Sequence, residues 1–194
     1  MGIFVDAPKE DLGTRQRKWL DFLWYQNRKP FRVCKEFAPG KFTRWESIDE
    51  CVCPVDHREI LPFEIVIEFD TPFFNTNLVN IQTVLSLLAD LPFFSNLSFF
   101  VTDHFGRSPH LHIFTKNEAW RKEIQEKVLH PALKRLDKMK LNSQGMIRCI
   151  GGRYYKKRFS DQDFFTYKSV VQDLDQIRPV KNPKEVLFPC NFRM

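Results

Sequence analysis

Two segments of this chain, residues 64–70 and 106–114, place apolar and polar side chains at alternating positions. Successive side chains of a β-strand point to opposite faces, so each segment predicts a strand with one apolar and one polar face. The polar faces carry carboxylates from the first segment and imidazoles from the second, namely Glu64, Glu68, Asp70, His110 and His112. Such groups on one sheet can hold divalent cations beside a phosphate, so the pattern predicts an active site more than a packing surface.

A chain of 194 residues is long enough for one domain with a full hydrophobic core. We therefore expect a single domain over residues 1–194. Its catalytic core is predicted over residues 62–171, after an N-terminal extension of residues 1–61 that contains a helix and irregular or strand segments. Residues 172–194, which contain three prolines, predict a loop-like C-terminal tail.

The charge of the chain favours a polyanionic partner. Its net charge is +6 and its isoelectric point is near 9.1. Residues 148–158 contain five cations, two tyrosines and a glycine pair, a composition suited to phosphates and stacked bases. The alternative interpretation of this segment is a solvated basic loop.

Cysteine usage and hydropathy predict where the protein works. The five cysteines are odd in number and scattered, which argues against a disulfide framework and predicts an intracellular protein, cytoplasmic or nucleoid-associated. The longest apolar stretches have the length of strands and contain acidic residues, so we expect no membrane association. Cys51 and Cys53 with His57 are spaced too tightly for a typical structural zinc site.

Hydrophobic periodicity predicts an α+β fold. Helices are expected over residues 14–27, over residues 78–88 and, capped by Asn117 and kinked at Pro131, over residues 117–136. Strands are expected over residues 64–70, 97–102, 110–115, 146–150 and 164–171, with a hairpin joining the second and third. The order predicts a mostly antiparallel sheet, like that of RNA-recognition and polymerase-palm folds, with helices packed on one face.

Two motifs together resemble the archaeo-eukaryotic primase superfamily, which contains the primase small subunits and the prim-pol domains. The first is the acid-x-acid strand Glu68-Phe69-Asp70, and the second is the turn and strand Gly106-Arg107-Ser108-Pro109-His110-Leu111-His112. The resemblance implies that His110 contacts the phosphates of an incoming nucleotide, with Arg107 and Ser108 beside it. It also implies that His112 supports the strand.

The resemblance extends downstream to residue 157. It implies a third metal-binding acid, here Asp137, an arginine that binds the triphosphate, here Arg148, and a cationic turn that contains Lys156. The implied catalytic and metal-binding residues are therefore Glu68, Asp70 and Asp137, with Mg²⁺ or Mn²⁺ as the cofactor. Other acids compete for the third position, namely Asp103, Asp161 and Asp173.

The activity implied by this resemblance is that of a DNA primase or DNA-directed polymerase, which adds nucleotides on a single-stranded DNA template. Its substrates would be nucleoside triphosphates, and a second primase subunit or a helicase is a possible partner. The chain contains no Gly-Lys-Ser/Thr phosphate-binding loop, so helicase work driven by ATP would need another chain.

The same residues also support a second interpretation. His110-Leu111-His112 matches the metal motif of the HUH rolling-circle replication initiators, and Tyr154-Tyr155-Lys156-Lys157 fits their Tyr-x-x-Lys nucleophile motif. In that case the two imidazoles hold a cation that polarises a phosphate for attack by Tyr154 or Tyr155. A third interpretation is a non-catalytic subunit that accompanies a primase or binds nucleic acid.

Overall fold

The computed structural model describes residues 12–103, 109–142, 144–155, 165–167 and 169–171. Three helices lie in these ranges: α1 (Leu12–Asn27), α2 (Phe74–Ala89) and a third helix that joins α3 (Glu118–Ile124), a π-helical turn (Gln125–Leu129) and α4 (His130–Arg135). In the part of the chain that is described, no helix is long and apolar enough to cross a membrane. The predicted tail of residues 172–194 lies outside the described residues.

The strands form one five-stranded sheet, one four-stranded sheet and two hairpin-like pairs. In chain order they are β1 (Arg32–Cys34), β2 (Glu36–Ala38), β3 (Lys41–Phe42), β4 (Glu46–Ser47), β5 (His57–Glu59), β6 (Glu64–Phe69), β7 (Ser98–Asp103), β8 (His110–Phe114), β9 (Met139–Asn142), β10 (Met146–Arg148), β11 (Arg153–Tyr155), β12 (Phe165–Tyr167) and β13 (Ser169–Val171). All neighbouring strands are antiparallel, so the α+β class with antiparallel sheets is confirmed.

The five-stranded sheet, called the main sheet below, has the strand order β13-β7-β8-β6-β9. From β6 to β9 the chain runs strand, helix, strand, strand, helix, strand, because α2 links β6 to β7 and the third helix links β8 to β9. Strands β7 and β8 pair directly, which confirms the predicted hairpin. Strand β6 lies in the middle, between β8 and β9.

The odd-numbered side chains of β6 and β8 form the larger core with the helices. Their apolar residues pack against α2 and the third helix, and the fully buried members include Ile67, Phe69, Ile81, Leu88, Leu111, Ile113, Ile124 and Val128. The prediction that the helices pack on one face therefore holds for α2 and the third helix, but it is wrong for α1, which packs on the opposite face through Trp19 and Phe22. Burial of so many large side chains is the main force that holds the helices there.

Among the residues that the structure describes, those that cover the opposite face of the main sheet lie at one end of it. Trp19 of α1 lies 5.1 Å from Phe100 of β7, and Phe22 lies 6.0 Å from Phe114 of β8, measured between ring centroids. These side chains share a second core with the small sheet, which has the order β10-β5-β1-β4. The N-terminal extension therefore covers part of the polar face.

Three local features were not foreseen. The third helix contains a π-helical turn directly before Pro131, the residue at which a kink was predicted. Strand β9 was not predicted. Residues 164–171 form two strands, β12 and β13, that pair with different partners.

Candidate functional site

Two predicted acids lie at the end of the polar face that α1 leaves open. Glu68 of β6 is directly opposite His110 of β8 and Lys140 of β9, so these three side chains share one face of the main sheet. Asp70 follows two positions later, just after the strand ends. The exposed fraction is 25% for the Glu68 side chain and 31% for the Asp70 side chain, so both carboxylates reach solvent. We call Glu68, Asp70, His110 and Lys140 the open-end cluster.

The carboxylate of Glu68 has two neighbours on the flanking strands. His110 Nε2 lies 3.8 Å from Glu68 Oε1, and Asn142 Nδ2 lies 3.4 Å from Glu68 Oε2. The nearby imidazole of His110 and the hydrogen bond from Asn142 lower the pKa of Glu68 to about 2, although partial burial opposes the shift. The Glu68 carboxylate therefore stays ionised at any pH at which the protein would bind a phosphate or a cation.

Asp70 is paired with a residue that the sequence analysis missed. Lys140 Nζ donates to Asp70 Oδ2 at 3.1 Å, and this bond raises the pKa of Lys140. The backbone nitrogen of Asp70 donates to the carbonyl of Lys138, which brings the end of β6 beside the start of β9. The Met-Lys-Leu-Asn alternation of residues 139–142 was the available signal for this strand, but four residues are too few to separate it from a loop.

Glu64 lies on the same face as Glu68 but does not belong to the open-end cluster. Its side chain is fully buried, and its two oxygens each accept a hydrogen bond of 2.7 Å from the guanidinium of Arg58. Burial alone would raise the pKa of Glu64, but the charge and hydrogen bonds of Arg58 and His112 outweigh it and hold the pKa below its usual range. Glu64 thus links β6 to β5 of the small sheet.

His112 is part of the same buried network. Its Nδ1 lies 2.8 Å from Glu64 Oε1, its Nε2 lies 3.2 Å from Thr102 Oγ1, and its ring stacks on Phe100. Both ring nitrogens are therefore engaged inside the protein, and only 1% of the side chain is exposed. His110 and His112 share a face, with ring centroids 6.3 Å apart, but only His110 belongs to the open end.

Arg148 is held in the small sheet. It lies on β10 opposite His57 of β5, and its Nη1 donates to the buried carboxylate of Glu36 at 3.3 Å. The side chain retains 17% exposure. The structure therefore places Arg148 on a different sheet from Glu68 and Asp70.

The remaining predicted residues are not brought to the open-end cluster by any described contact. Asp137 is exposed in the turn between α4 and β9, where the resemblance implied a strand. Among the described residues, no group of three or more His, Cys, Asp or Glu side chains could hold a metal ion. Other predicted residues lie outside the described residues, namely Arg107, Ser108, Lys156, Asp161 and Asp173, and the side chain of Asp103 is likewise outside them.

The open-end cluster nevertheless offers what a hard divalent cation needs from a protein. Mg²⁺ is commonly bound by one or two carboxylates, while water and substrate phosphates fill its other positions. Glu68 and Asp70 supply two partly exposed carboxylates on one side of β6. The donor set therefore fits Mg²⁺ or Mn²⁺, on the condition that the ammonium of Lys140 moves away from Asp70.

The Lys140→Met substitution is expected to strengthen Mn²⁺ binding by at most about fivefold, because an exposed ion pair is weak and its loss removes a competitor of the metal. Calorimetric titration of the full chain with MnCl₂ measures this effect. Lys134→Met is the matched control, since Lys134 is an exposed lysine of α4. Unchanged or weaker Mn²⁺ binding in Lys140→Met would show that Lys140 does not compete with the cation.

No family model, curated protein or solved structure matches this chain. The assignment of a function therefore rests on the open-end cluster and on the sheet that carries it.

Proposed function

We propose that this protein is a metal-dependent nucleotidyltransferase of the primase and prim-pol type, which adds nucleotides on a single-stranded DNA template. The observation that carries the proposal is the position of Glu68 and Asp70, two partly exposed carboxylates at the open end of the main sheet, with Glu68 directly opposite His110. The acids and the histidine thus share the face on which the primase resemblance requires them. A second primase subunit or a helicase remains part of the proposal as a partner.

The topology of the main sheet supports the proposal. A strand, helix, strand, strand, helix, strand unit is the ferredoxin-like arrangement, to which RNA-recognition and polymerase-palm sheets belong. Here that unit runs from β6 to β9, and its helices occupy the face opposite the open-end cluster. The proposal places nucleic acid and nucleotide on the polar face, at the same end as the acids.

Each residue of the cluster has a proposed role. Glu68 and Asp70 would hold Mg²⁺ or Mn²⁺, which supplies charge stabilisation for the phosphoryl oxygens during transfer. His110, which keeps 14% of its side chain exposed, would donate to a phosphate of the nucleotide. Lys140 would balance the carboxylate of Asp70 before substrate binds. Asp137, Arg107, Ser108 and Lys156 keep the roles that the resemblance implies.

The proposed reaction needs positioning more than covalent work from the protein. The 3′-oxygen of one nucleotide attacks the α-phosphate of the next, a phosphodiester bond forms, and pyrophosphate leaves. Histidine and arginine side chains that are fixed before the reaction stabilise the charge that develops on the phosphates. The network behind His110 suits this role, because His112, Glu64 and Thr102 fix the middle of β8.

The rolling-circle interpretation finds less support in the same region. A cation shared by two imidazoles needs a free nitrogen on each, but both nitrogens of His112 are engaged with Glu64 and Thr102 in the buried core. Tyr154 and Tyr155 lie in strand β11, whereas the tyrosine motif of that family usually lies in a helix. The non-catalytic interpretation gives the two partly exposed acids of the open end a role in local ion pairs alone.

Substitution of both Tyr154 and Tyr155 by Phe separates the two enzymatic functions. The proposal expects that the double variant still makes metal-dependent nucleotide products on single-stranded DNA, at a rate within a few-fold of wild type. It also expects no covalent adduct between protein and DNA in either protein. A wild-type adduct that disappears in the double variant, together with a nicked template, would replace the primase proposal with the nicking endonuclease.

A further inference from the structure

The hairpin of β2 and β3 projects from the N-terminal extension and has no role in the site described so far. Its strands pair through Glu36 and Phe42 and through Ala38 and Lys41, with a bulge between the two pairs. Gly40, in the turn, has a φ of +72°, a conformation that favours glycine. The turn is therefore tight and its shape is set by the backbone.

The inner side of this hairpin is anchored by a buried carboxylate. The backbone nitrogen of Glu36 donates a hydrogen bond to Asp56 Oδ2 at 2.7 Å, and the Glu36 carboxylate accepts one from the backbone nitrogen of Gly40 at 2.8 Å. The same side chain accepts from Arg148, and the Phe42 ring meets His57 edge to face at 5.1 Å. The hairpin is thus fixed to the small sheet, next to the arginine that the resemblance assigns to the triphosphate.

The exposed surface of the hairpin and its flanking residues, called the outer surface below, combines a ring with cations. Phe37 alternates with the buried Glu36 and is 60% exposed. Lys41 and Arg44 are exposed and Lys35 is partly exposed. Residues 28–45 contain six cations but only one acid, and that acid is the buried Glu36. The surface around Phe37 therefore presents an exposed aromatic ring among positively charged side chains.

We propose that this outer surface, formed by Lys35, Phe37, Lys41 and Arg44, is a docking surface for single-stranded nucleic acid. A base stacks on the Phe37 ring while the three cations contact the phosphates on either side, which is how sequence-tolerant binders of single strands work. The identification of this strand as the template rests on the proposed function. The contact between Glu36 and Arg148 then places the template beside the arginine that the resemblance assigns to the triphosphate.

The charges favour nucleic acid over an apolar protein partner. A single exposed phenylalanine is a small apolar surface, whereas three cations without an exposed acid among residues 28–45 match a phosphate backbone. The acids Glu46, Asp49 and Glu50 come later, on β4 and in the turn that follows it. The two binding experiments that follow distinguish nucleic acid from a protein partner that contacts Phe37 alone.

The first experiment measures how much the Phe37 ring contributes to binding of single-stranded DNA. Fluorescence anisotropy with a labelled 20-nucleotide oligo-dT, without metal or nucleotide, gives the Kd of the full chain. Phe37→Ala is expected to weaken binding by about 5- to 150-fold, and Phe37→Tyr to retain it, because stacking on one base is worth about 1–3 kcal/mol. Phe63→Ala is the matched control, because Phe63 is also exposed but precedes β6 at the end far from Asp70, and it should leave the Kd unchanged.

The second experiment measures how much Lys41 and Arg44 contribute to the salt dependence of binding. The double variant Lys41→Ala with Arg44→Ala should reduce the slope of log Kd against log salt by about 1.4, since each phosphate contact on a single strand contributes about 0.7. The control is Lys122→Ala with Lys134→Ala, which removes the same charge from the third helix and should leave most of the slope. A duplex of the same length should bind with no dependence on Phe37.

The outcomes decide between the proposals. Equal losses in Phe37→Ala and Phe63→Ala, or equal slopes in the two double variants, would overturn the docking surface, and so would a wild-type chain that does not bind oligo-dT. A salt slope that is unchanged while Phe37→Ala still weakens binding would also overturn it, in favour of an apolar contact. Because the assay contains neither metal nor nucleotide, a chain that binds but synthesises nothing would overturn the proposed function alone.

Discussion

Glu64→Gln is expected to lower the free energy of unfolding by about 3–5 kcal/mol, because the substitution leaves the fully buried guanidinium of Arg58 without its counter-charge. Glu64 also accepts hydrogen bonds from the backbone nitrogen of Leu61 and from His112. The substitution therefore weakens contacts to β5, to β8 and to the turn before β6. The effect depends on pH. Since the folded pKa of Glu64 lies below its ordinary 4.5, its stabilising contribution is complete above that value and is lost as the pH falls further.

Urea unfolding at pH 7 measures this change, and the chain offers a close control. Glu68→Gln makes the same chemical substitution four residues along the same strand, at a partly exposed position with no fully buried counter-ion among its described contacts, and should cost clearly less than Glu64→Gln. Replacing both partners, as Arg58→Met with Glu64→Leu, should cost less than Glu64→Gln alone. Similar losses in Glu64→Gln and Glu68→Gln would contradict the buried network.

Asp70→Asn is expected to reduce metal-dependent nucleotide incorporation by at least about 100-fold. The substitution keeps the shape of the side chain but removes the charge that would hold the cation, and that cation contributes several kcal/mol to the stabilisation of the transferred phosphate. Asp70 is 31% exposed and its described side-chain bond is to the exposed Lys140, so little stability depends on it. The substitution should therefore lower the incorporation rate and the Mn²⁺ affinity, with little change in stability.

Asp90→Asn is the matched control for that result. Asp90 is exposed at the C-terminal end of α2, so its substitution removes the same charge away from the open-end cluster. Circular dichroism should give the same melting temperature for both variants, and oligo-dT binding should survive in both. An Asp70→Asn protein that keeps its rate, or an Asp90→Asn protein that loses it equally, would remove Asp70 from the site.

The sequence predicted which residues share a face of the main sheet, but it did not predict which of them are buried. Alternation correctly put Glu64, Glu68 and His110 on one face, because register and face follow directly from a period of two. It could not tell that Glu64 is buried, since burial there depends on the small sheet, whose strand β5 brings Arg58 against the Glu64 carboxylate. One strand therefore carries both a structural acid and a candidate catalytic one.

Long-range pairing explains the residues that were missed or misplaced. Lys140 reaches Asp70 only because β9 pairs with β6, seventy positions earlier in the chain. Arg148 was correctly expected on a strand, but its partner is β5 of the small sheet and its side chain bonds Glu36. Local periodicity contains no information about which strand pairs with which, so neither contact could be read from residues 139–150 alone.

The most direct test of the proposed active site is synthesis by the wild-type chain. The protein is incubated with unprimed single-stranded DNA and labelled nucleoside triphosphates, with Mg²⁺, with Mn²⁺ or with a chelator, and the products are separated on a denaturing gel. The proposal predicts products of increasing length that need both template and metal. A chain that binds the DNA but forms no labelled product with either metal would contradict it.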